Sequence, residues 1–212
     1  MERIEKSVFI KNNSNTFRKW AKWYDLTSFI LLFLRKKVAD LVDSRQGKLL
    51  DVACGTGAQT IEFARKGLTV TGIDLSRDML KIARKKMRHA KNVKLLRADS
   101  EKLPFRNRSF DVSCISLALH DMPYSVGLNT LHEMKRVTKE SGLIIIVDFT
   151  KPALFPVAYF SRCLVKLWES EYYDDFMKTG IEAYLHQAEL NVEREVHYLL
   201  RTIKVITSVN RS

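Results

Sequence analysis

Hydrophobic residues along the chain form short β-branched runs that alternate with stretches of helical periodicity. The runs predict strands at 48–53, 68–74, 93–99, 110–118 and 142–149, and the periodic stretches predict helices at 59–66, 77–89 and 126–139. Nearly continuous Val, Ile and Leu suit strands that are covered on both faces of a sheet. The regular alternation of strand and helix therefore predicts an α/β fold with a largely parallel, doubly wound sheet.

The regions on either side of this alternation have different patterns. Residues 17–42 show the periodicity of one or two helices, and the region after residue 152 is irregular and helical. Two short β-branched runs at 192–198 and 201–207 predict an antiparallel hairpin. We therefore divide the chain into an N-terminal tail with helices that cover the site, residues 1–44, and a main domain, residues 45–212. The main domain contains a lid-like insertion at about 152–190.

The composition is that of a folded protein. Of the 212 residues, 46% are hydrophobic and 28% are charged, which excludes disorder for most of the chain. No apolar stretch reaches the roughly 18 residues that a membrane-spanning helix needs. Charges throughout the first residues argue against a signal peptide, so we expect a cytoplasmic protein. The cysteines, Cys54, Cys114 and Cys163, are far apart in sequence, and we expect reduced thiols and no metal site.

The formal net charge of +12 is concentrated in one half of the chain. From residue 1 to residue 97, 22 Lys and Arg residues face 9 Asp and Glu residues, whereas 98–212 contain 14 against 15. Such an asymmetry indicates an acidic partner surface, either nucleic acid or anionic lipid. Charge alone does not choose between them.

Glycines and carboxylates follow three successive predicted strands. The first strand leads into the segment from Asp51 to Gly57, DVACGTG, which runs directly into a helix. Glycines at such a turn let a ligand approach the backbone beside the positive end of the helix, as in nucleotide-binding sites. The second strand ends at Asp74, 19 residues after Gly55, and the third at Asp99. Each aspartate alone also suits a turn or a helix cap, but the ordered set favours a nucleotide-like ligand.

These motifs resemble the class I S-adenosylmethionine-dependent methyltransferases. LLDVACGTGAQT is similar to the glycine-rich first motif of that family, VTGIDLSRDML to its ribose-binding motif, and LRADSEKLPFRNRSFDVS to its adenine-contacting segment. EMKRVTKESGLIIIVDF is similar to the following helix and fifth strand. The resemblance covers about residues 45–150 and is greatest to the ubiquinone/menaquinone-biosynthesis group, methyltransferase type 11, and its phospholipid N-methyltransferase relatives.

The resemblance implies a Rossmann-like, seven-stranded sheet and S-adenosyl-L-methionine as cofactor. It implies that Asp51 orients the glycine loop and the methionine amino group, with Gly55 and Gly57 against the methionine and ribose. Ala53 stands where the family usually has its first glycine, which affects only how closely the turn approaches the ligand. An N-terminal segment from Trp20 to Asp25 is similar to the helix that covers the cofactor, and its Tyr24 is a candidate substrate contact.

The remaining cofactor contacts follow from the second and third motifs of the same family. The resemblance implies that Asp74 holds the ribose hydroxyls and that Leu75 and Met79 flank the adenine. It also implies that Asp99, followed by Ser100, receives the adenine amine.

The segment after the fourth predicted strand faces the transferred methyl group in this family. Here it reads SLALHDMP, without the Asn/Asp-Pro-Pro-aromatic motif of nucleobase-amine methylases and without a Pro-Cys nucleophile. A nucleic-acid substrate is therefore less favoured, despite the basic charge. His120 is the residue in this segment suited to act as a general base near neutral pH, and we predict it to be a catalytic and substrate-binding residue. The alternative is a structural histidine at the strand end.

We therefore expect a methyltransferase that acts on a small, amphiphilic acceptor of the quinone-precursor or phospholipid-headgroup type, at or near an anionic membrane surface. The alternatives are an RNA or protein methyltransferase, a nicotinamide-dependent oxidoreductase, and a non-catalytic cofactor-binding subunit. The oxidoreductase is disfavoured because Thr60 stands at the third glycine position of the dinucleotide fingerprint.

Overall fold

A computed structural model describes residues 31–43, 47–151 and 172–211. The described strands are β1 Lys48–Val52, β2 Thr69–Asp74, β3 Val93–Arg97, β4 Phe110–Ser116, β5 Thr138–Phe149, β6 Val192–Tyr198 and β7 Ile203–Val209. They form a seven-stranded sheet in the order β3-β2-β1-β4-β5-β7-β6. The first five strands run parallel, and β7 is antiparallel to both β5 and β6. The predicted α/β, doubly wound, seven-stranded sheet with an antiparallel hairpin is confirmed.

Helices cover both faces of this sheet. The described helices are α1 Leu32–Ala39, α2 Ala58–Arg65, α3 Arg77–Lys86, α4 Tyr124–Val137, α5 Tyr173–Thr179 and α6 Ile181–Gln187, with a 3-10 helix at Leu119–Asp121. On one face, Leu50 of β1 packs in a cluster with Leu131 of α4 and Tyr184 of α6. On the other face, Leu49 of β1 packs in a cluster with Leu34 of α1 and Phe63 of α2. Alternation of side chains along β1 thus supplies both cores.

Two predicted helices end earlier in the structure than the sequence pattern suggests. The pattern predicts a helix over 77–89, whereas α3 ends at Lys86, and it predicts a helix over 126–139, whereas α4 ends at Val137 and β5 begins at once with Thr138. The Thr138 N–H still donates to the carbonyl oxygen of Met134, but the backbone of Thr138 is extended, with φ −81° and ψ 137°. This extended residue ends α4 and is the first residue of β5.

The hairpin turn between β6 and β7 is longer than predicted. Three successive residues, Leu199, Leu200 and Arg201, have left-handed backbones with φ of 48°, 54° and 64°. The second strand therefore begins at Ile203 rather than at residue 201. Leu199 and Leu200 are exposed at this turn, with relative accessibilities of 45% and 71%. Ile203 pairs with Phe149 at the end of β5, which places the turn at the carboxyl edge of the parallel strands.

Parts of the sequence-based organisation lie outside the described residues. These are the boundary after residue 44, most of the predicted helix over 17–42, and the lid-like segment as far as residue 171. None of the described helices has the length and apolar character needed to cross a membrane.

Candidate active site

A cavity opens at the carboxyl edge of the parallel strands, above β1, β2 and β4. Its walls come from the loops after these strands and after β3, from the start of α4, and from α1 on the opposite side. The lining residues are Leu31, Arg35, Asp51, Ala53, Cys54, Gly55, Thr56, Ala58, Gln59, Ile73, Asp74, Leu75, Met79, Ala98, Asp99, Ser100, Glu101, Ser116, Leu117, Ala118, Asp121, Met122 and Val126. Open α/β sheets bind ligands in this position, where the strand order reverses.

Asp74 joins the glycine loop to the second strand. Its Oδ2 accepts a hydrogen bond from the Gly55 N–H at 2.8 Å, and its Oδ1 accepts one from the Ser76 N–H at 2.8 Å. Burial raises the pKa of Asp74, and the two backbone donors oppose that rise. Each carboxylate oxygen retains a second lone pair, so Asp74 can hold the loop and still accept hydrogen bonds from a ligand in the cavity.

The residues of the glycine loop have different structural roles. Gly55 lines the cavity, and a Cβ added to it meets no atom within 4 Å, so a side chain there would project into open space. Gly57 does not line the cavity in the described structure, although it was predicted as a cofactor contact. Gly57 has a left-handed backbone, with φ 77°, and a Cβ there would overlap Cε at the end of the Met87 side chain and lie 3.2 Å from Cβ of Ala83. Gly57 thus suits the left-handed turn that precedes α2 and its close approach to α3.

Ala53 adopts a left-handed backbone, with φ 53°, at the position where the family usually has glycine. This conformation costs a residue with a side chain about 1–2 kcal/mol. Ala53 lines the cavity, and the small methyl group leaves the turn in place.

Asp51 is a buried carboxylate at the base of the cavity. Burial raises the pKa of Asp51 to about 7; nearby Asp74 adds to the rise, whereas the hydrogen bond from the Thr60 hydroxyl and the charge of Arg35 oppose it. Near neutral pH, this side chain therefore changes charge readily. A cationic ligand group beside it would favour the ionised form.

The opposite end of the cavity is lined by residues from α3 and from the loop after β3. Leu75 and Met79 supply an apolar wall. Ser76 caps the start of α3, and its hydroxyl accepts from the Met79 N–H. Asp99 accepts a hydrogen bond from the Glu101 N–H at 3.0 Å, and the Ser100 hydroxyl lies 2.8 Å from that of Thr130. An apolar slot with a carboxylate beside it suits a flat ring that carries an amine.

Several polar residues of the cavity lining were not predicted from the sequence, and two of them, Gln59 and Arg35, bear on ligand binding. The Gln59 amide donates to the Arg35 carbonyl oxygen at 3.2 Å, which ties α2 to α1. Gln59 is 5% exposed, and its Oε1 has no hydrogen-bond partner within the described part of the chain. A buried, unpaired amide oxygen beside a cavity indicates a missing donor from a ligand or water. Arg35 belongs to the basic triplet at 35–37, but it lines the cavity while Lys36 and Lys37 are exposed.

His120 is buried beside the cavity rather than in its lining. Its neighbours Ala118 and Asp121 line the cavity, and His120 itself does not among the described residues. Its Nδ1 lies 2.6 Å from Oδ1 of Asp148, and its ring packs edge-on against Phe149 at 4.7 Å between ring centroids. The role of His120 as a base stays a prediction. Because His120 does not line the cavity, it could exchange a proton with the substrate only through a neighbouring residue that does. Tyr24, the other predicted substrate contact, lies outside the described residues.

The charge of the cavity is opposite to that of the chain. Within the described structure its lining carries five acidic side chains and one basic side chain, although the net charge of the chain is +12. The acidic residues are Asp51, Asp74, Asp99, Glu101 and Asp121. Such a cavity favours a ligand that carries positive charge and several hydroxyl groups. The described residues contain no group of three or more His, Cys, Asp or Glu arranged for a metal ion.

The family comparison identifies this region. Residues 49–142 match the family described as "Methyltransferase domain". This region is a class I S-adenosylmethionine-dependent methyltransferase domain. The methyltransferase domain includes β1 to β4, α2 to α4 and most of the cavity lining. Its cofactor is S-adenosyl-L-methionine, and the nicotinamide-dependent alternative is therefore discarded.

Sequence relatives and solved structures agree with this assignment. The demethylmenaquinone methyltransferase of Staphylococcus aureus (strain MRSA252) is 38% identical over 148 residues, which cover 65% of this chain and 60% of that protein. An S-adenosylmethionine-dependent methyltransferase from Aquifex aeolicus has a TM-score of 0.66 at 20% identity and covers 95% of this chain and 96% of its own. One from Thermotoga maritima has a TM-score of 0.70 at 18% identity, covering 92% and 99%. At these identities the structures establish the shared fold.

The residues present fit this cofactor. S-Adenosylmethionine has a ribose, an adenine, and a methionine part with an ammonium group, a carboxylate and a positive sulfur. The open space at Gly55 leaves room for such a ligand against the loop, and the unpaired Oε1 of Gln59 offers an acceptor. The acidic lining matches the positive charges, and Arg35 supplies a cation for the carboxylate.

Proposed function

We propose that the protein transfers a methyl group from S-adenosylmethionine to a small, amphiphilic acceptor of the quinol type. The observation that carries this proposal is the acidic cavity of the methyltransferase domain, in which Asp74 accepts a hydrogen bond from the glycine loop and the amide oxygen of Gln59 has no partner among the described residues. The methyl group of this cofactor is bound to a positively charged sulfur, which opens it to attack by a nucleophile.

In this proposal the chain binds the cofactor through separate groups. Asp74 accepts from the ribose hydroxyls, and Leu75 and Met79 hold the adenine between apolar surfaces. Asp99 accepts from the adenine amine. Arg35 pairs with the methionine carboxylate, which leaves Asp51 and Gln59 for the ammonium group. Each assignment matches the charge or hydrogen-bonding capacity of a group that lines the cavity.

The acceptor side of the cavity is more apolar than the cofactor side. Leu117, Ala118, Met122 and Val126 line it, together with the carboxylate of Asp121. An apolar wall with one acceptor suits an aromatic ring with a hydroxyl group. The Staphylococcus aureus relative is named for demethylmenaquinone, a prenylated naphthoquinone, and this chain spans about 60% of the length of that relative. We infer an acceptor of the same chemical class.

A contact with an anionic membrane would bring such an acceptor to the site. Two exposed features support it. Phe33 of α1 is 63% exposed, with the Lys37 ammonium 5.5 Å from its ring centroid. The hairpin turn presents Leu199 and Leu200 next to the cationic Arg201. Apolar side chains combined with basic ones are the composition of membrane-surface contacts.

The deciding experiment supplies labelled S-adenosylmethionine with a short-chain 2-prenyl-1,4-naphthoquinol kept reduced by dithionite. Methylation of the naphthoquinol by the wild type, and at least a tenfold lower rate with Asp74→Asn at subsaturating cofactor, supports the proposal. Parallel incubations with RNA and with a protein fraction test the alternatives. Label that enters RNA or protein and not the naphthoquinol would overturn the proposed acceptor.

The membrane contact has its own test. Co-sedimentation with anionic and neutral vesicles at low and high salt is compared for the wild type, Leu199→Asn/Leu200→Asn and Lys36→Gln/Lys37→Gln. We expect both variants to pellet less with anionic vesicles, and the wild type to be released as salt exceeds about 0.15 M. Arg35 is left unchanged because it lines the cavity. Equal pelleting in all samples would remove the membrane from the proposal.

A further inference from the structure

His120 lies between two carboxylates. Its Nδ1 is 2.6 Å from Oδ1 of Asp148, and its Nε2 is 3.5 Å from Oδ2 of Asp121. The side chains of His120 and Asp148 are 4% and 0% exposed, whereas that of Asp121 is 12% exposed and lines the cavity. The three groups therefore form a line that leads from the protein interior to the acceptor side of the cavity.

The hydrogen bonds of Asp148 fix the protonation of the imidazole. Asp148 Oδ2 accepts from the Leu119 N–H at 2.9 Å, and its Oδ1 accepts from the Phe149 N–H at 2.8 Å. Both oxygens of this carboxyl group therefore already act as hydrogen-bond acceptors. The remaining short contact, to Nδ1 of His120, then requires the hydrogen to lie on Nδ1. Nε2 consequently faces Asp121 as the nitrogen that can gain a proton.

The same contacts make this segment rigid. The bond from Leu119 to Asp148 anchors the 3-10 helix Leu119–Asp121 to β5. The His120 ring packs against Phe149, and the rings of Tyr173 and Phe176 lie 6.1 and 6.3 Å away between centroids. Among the described residues, the titratable groups that face His120 are thus Asp121, Asp148 and Tyr173. A buried imidazole with a fixed carboxylate behind it is arranged to stabilise a positive charge.

We propose that Asp121 is the catalytic residue that accepts the acceptor's proton, that His120 is a positioning residue that takes up this proton from Asp121, and that Asp148 is a positioning residue that holds the His120 ring. The inference rests on the proposed function. As the acceptor atom bonds to the methyl carbon, the carbon–sulfur bond breaks and its electron pair remains on sulfur. The acceptor's hydroxyl proton passes to the Asp121 carboxylate and on to Nε2 of His120, from which water removes it after product release. Where a ring carbon takes the methyl group, the hydrogen of that carbon afterwards moves to the hydroxyl oxygen, so that one proton is released in either case.

The kinetic test uses Asp121→Asn, which keeps the shape of the side chain and removes its basicity. With the 2-prenyl-1,4-naphthoquinol probe we expect kcat to fall about 100-fold or more, with the KM for S-adenosylmethionine within threefold of wild type. Asp175→Asn, an exposed carboxylate on α5, is the matched control and should retain full activity. We expect kcat of the wild type to rise with pH as Nε2 of His120 loses its proton. In His120→Gln, kcat should fall at least tenfold and this rise should be absent. A change in KM alone, with kcat and its pH profile unchanged in either variant, overturns the proposal.

A second measurement does not depend on the acceptor. The pH titration of the His120 imidazole is followed by NMR in wild type and in Asp121→Asn, with His120→Gln to assign the signal. An anion beside the ring favours the protonated form of the ring. In Asp121→Asn, which lacks that anion, the titration midpoint of His120 should therefore fall by at least about one pH unit. An unmoved midpoint would refute the coupling between the two residues. Failure of the wild type to methylate the naphthoquinol, with the midpoint shift present, would instead count against the proposed acceptor alone.

Discussion

Replacing Asp74 with asparagine tests the cofactor assignment most directly. The amide has the shape of the carboxylate but only one oxygen acceptor. In the structure both carboxylate oxygens accept from backbone donors, Gly55 N–H and Ser76 N–H, each at 2.8 Å. In Asp74→Asn one of these donors must therefore face an NH₂ group, and the ribose loses a charged acceptor.

The two effects of this substitution on free energy differ in size. A hydrogen bond to a charged group contributes about 1.5–3 kcal/mol. Burial raises the pKa of Asp74, so removing the charge recovers part of the loss in unfolding free energy, and we expect a net loss of about 1 kcal/mol. The free energy of cofactor binding recovers nothing in this way. The cofactor affinity should fall by about 2–3 kcal/mol, which corresponds to roughly 30- to 150-fold in Kd.

The assay is isothermal titration calorimetry with two ligands. S-Adenosylhomocysteine contains the amino-acid part, whereas 5′-methylthioadenosine lacks it and retains the ribose and adenine. Asp74→Asn should weaken both ligands by the same factor. Arg35→Gln is the matched control, since it should weaken S-adenosylhomocysteine and leave 5′-methylthioadenosine within a factor of two.

The fold of each variant is checked by circular dichroism and a thermal melt. A folded Asp74→Asn protein that binds both ligands within threefold of the wild type would refute the ribose assignment. Weakening of S-adenosylhomocysteine alone would also refute it, because the affected group would then lie on the amino-acid part of the ligand.

Four further substitutions separate loop geometry from chemistry. Gly55→Ala should weaken cofactor binding at least tenfold and, because Gly55 has a left-handed backbone with φ 54°, should also lower the unfolding free energy by about 1–2 kcal/mol. Gly57→Ala should lower the unfolding free energy by about 1–3 kcal/mol through backbone strain and its contacts with Met87 and Ala83, measured by urea denaturation. Ala53→Gly should leave stability unchanged or raise it by up to about 1 kcal/mol, because relief of the left-handed strain is offset by a more flexible unfolded chain; a clear loss on denaturation would contradict this. Burial raises the pKa of Asp51 from 3.8 to about 7. Between these pH values the folded state binds more protons than the unfolded chain, so the unfolding free energy should fall as pH rises from about 4 to 7. Cofactor affinity should rise through pH 7, since the ammonium group favours ionised Asp51, and calorimetry of Asp51→Asn should show neither trend.

The succession of strands and helices along the chain and the edge of the sheet that carries the cavity could be predicted because both depend on local patterns. Strand ends are visible where an apolar run stops, and parallel strands bring their carboxyl ends to one edge of the sheet. Asp51, Asp74 and Asp99 were placed at that edge on this basis, and all three line the cavity. Their contacts with the cofactor stay predictions.

The residues that sequence reasoning missed depend on helix rotation and long-range packing. Arg35 stands in a run of three basic residues at 35–37, but successive helical residues point in different directions, and Arg35 shares a face with Leu31, Leu34 and Val38. That i, i+3, i+4, i+7 spacing was the available signal. No local pattern shows that Met87, 30 residues after Gly57, packs against it, and the predicted contact of Gly57 with the cofactor stays a prediction.

The inner position of β7 has a consequence for how the protein is made. β7 follows every other described strand in the sequence, yet it lies between β5 and β6 and pairs along its length with β5. A ribosome releases the strands in chain order, so β1 to β5 emerge while one edge of β5 still lacks its neighbour. Ile144 and Ile146 of β5 are buried in the complete sheet. Until β7 arrives, they lie in a strand with one unpaired edge. The nascent chain should therefore remain sensitive to protease and bind chaperones until residue 209 has left the ribosome tunnel.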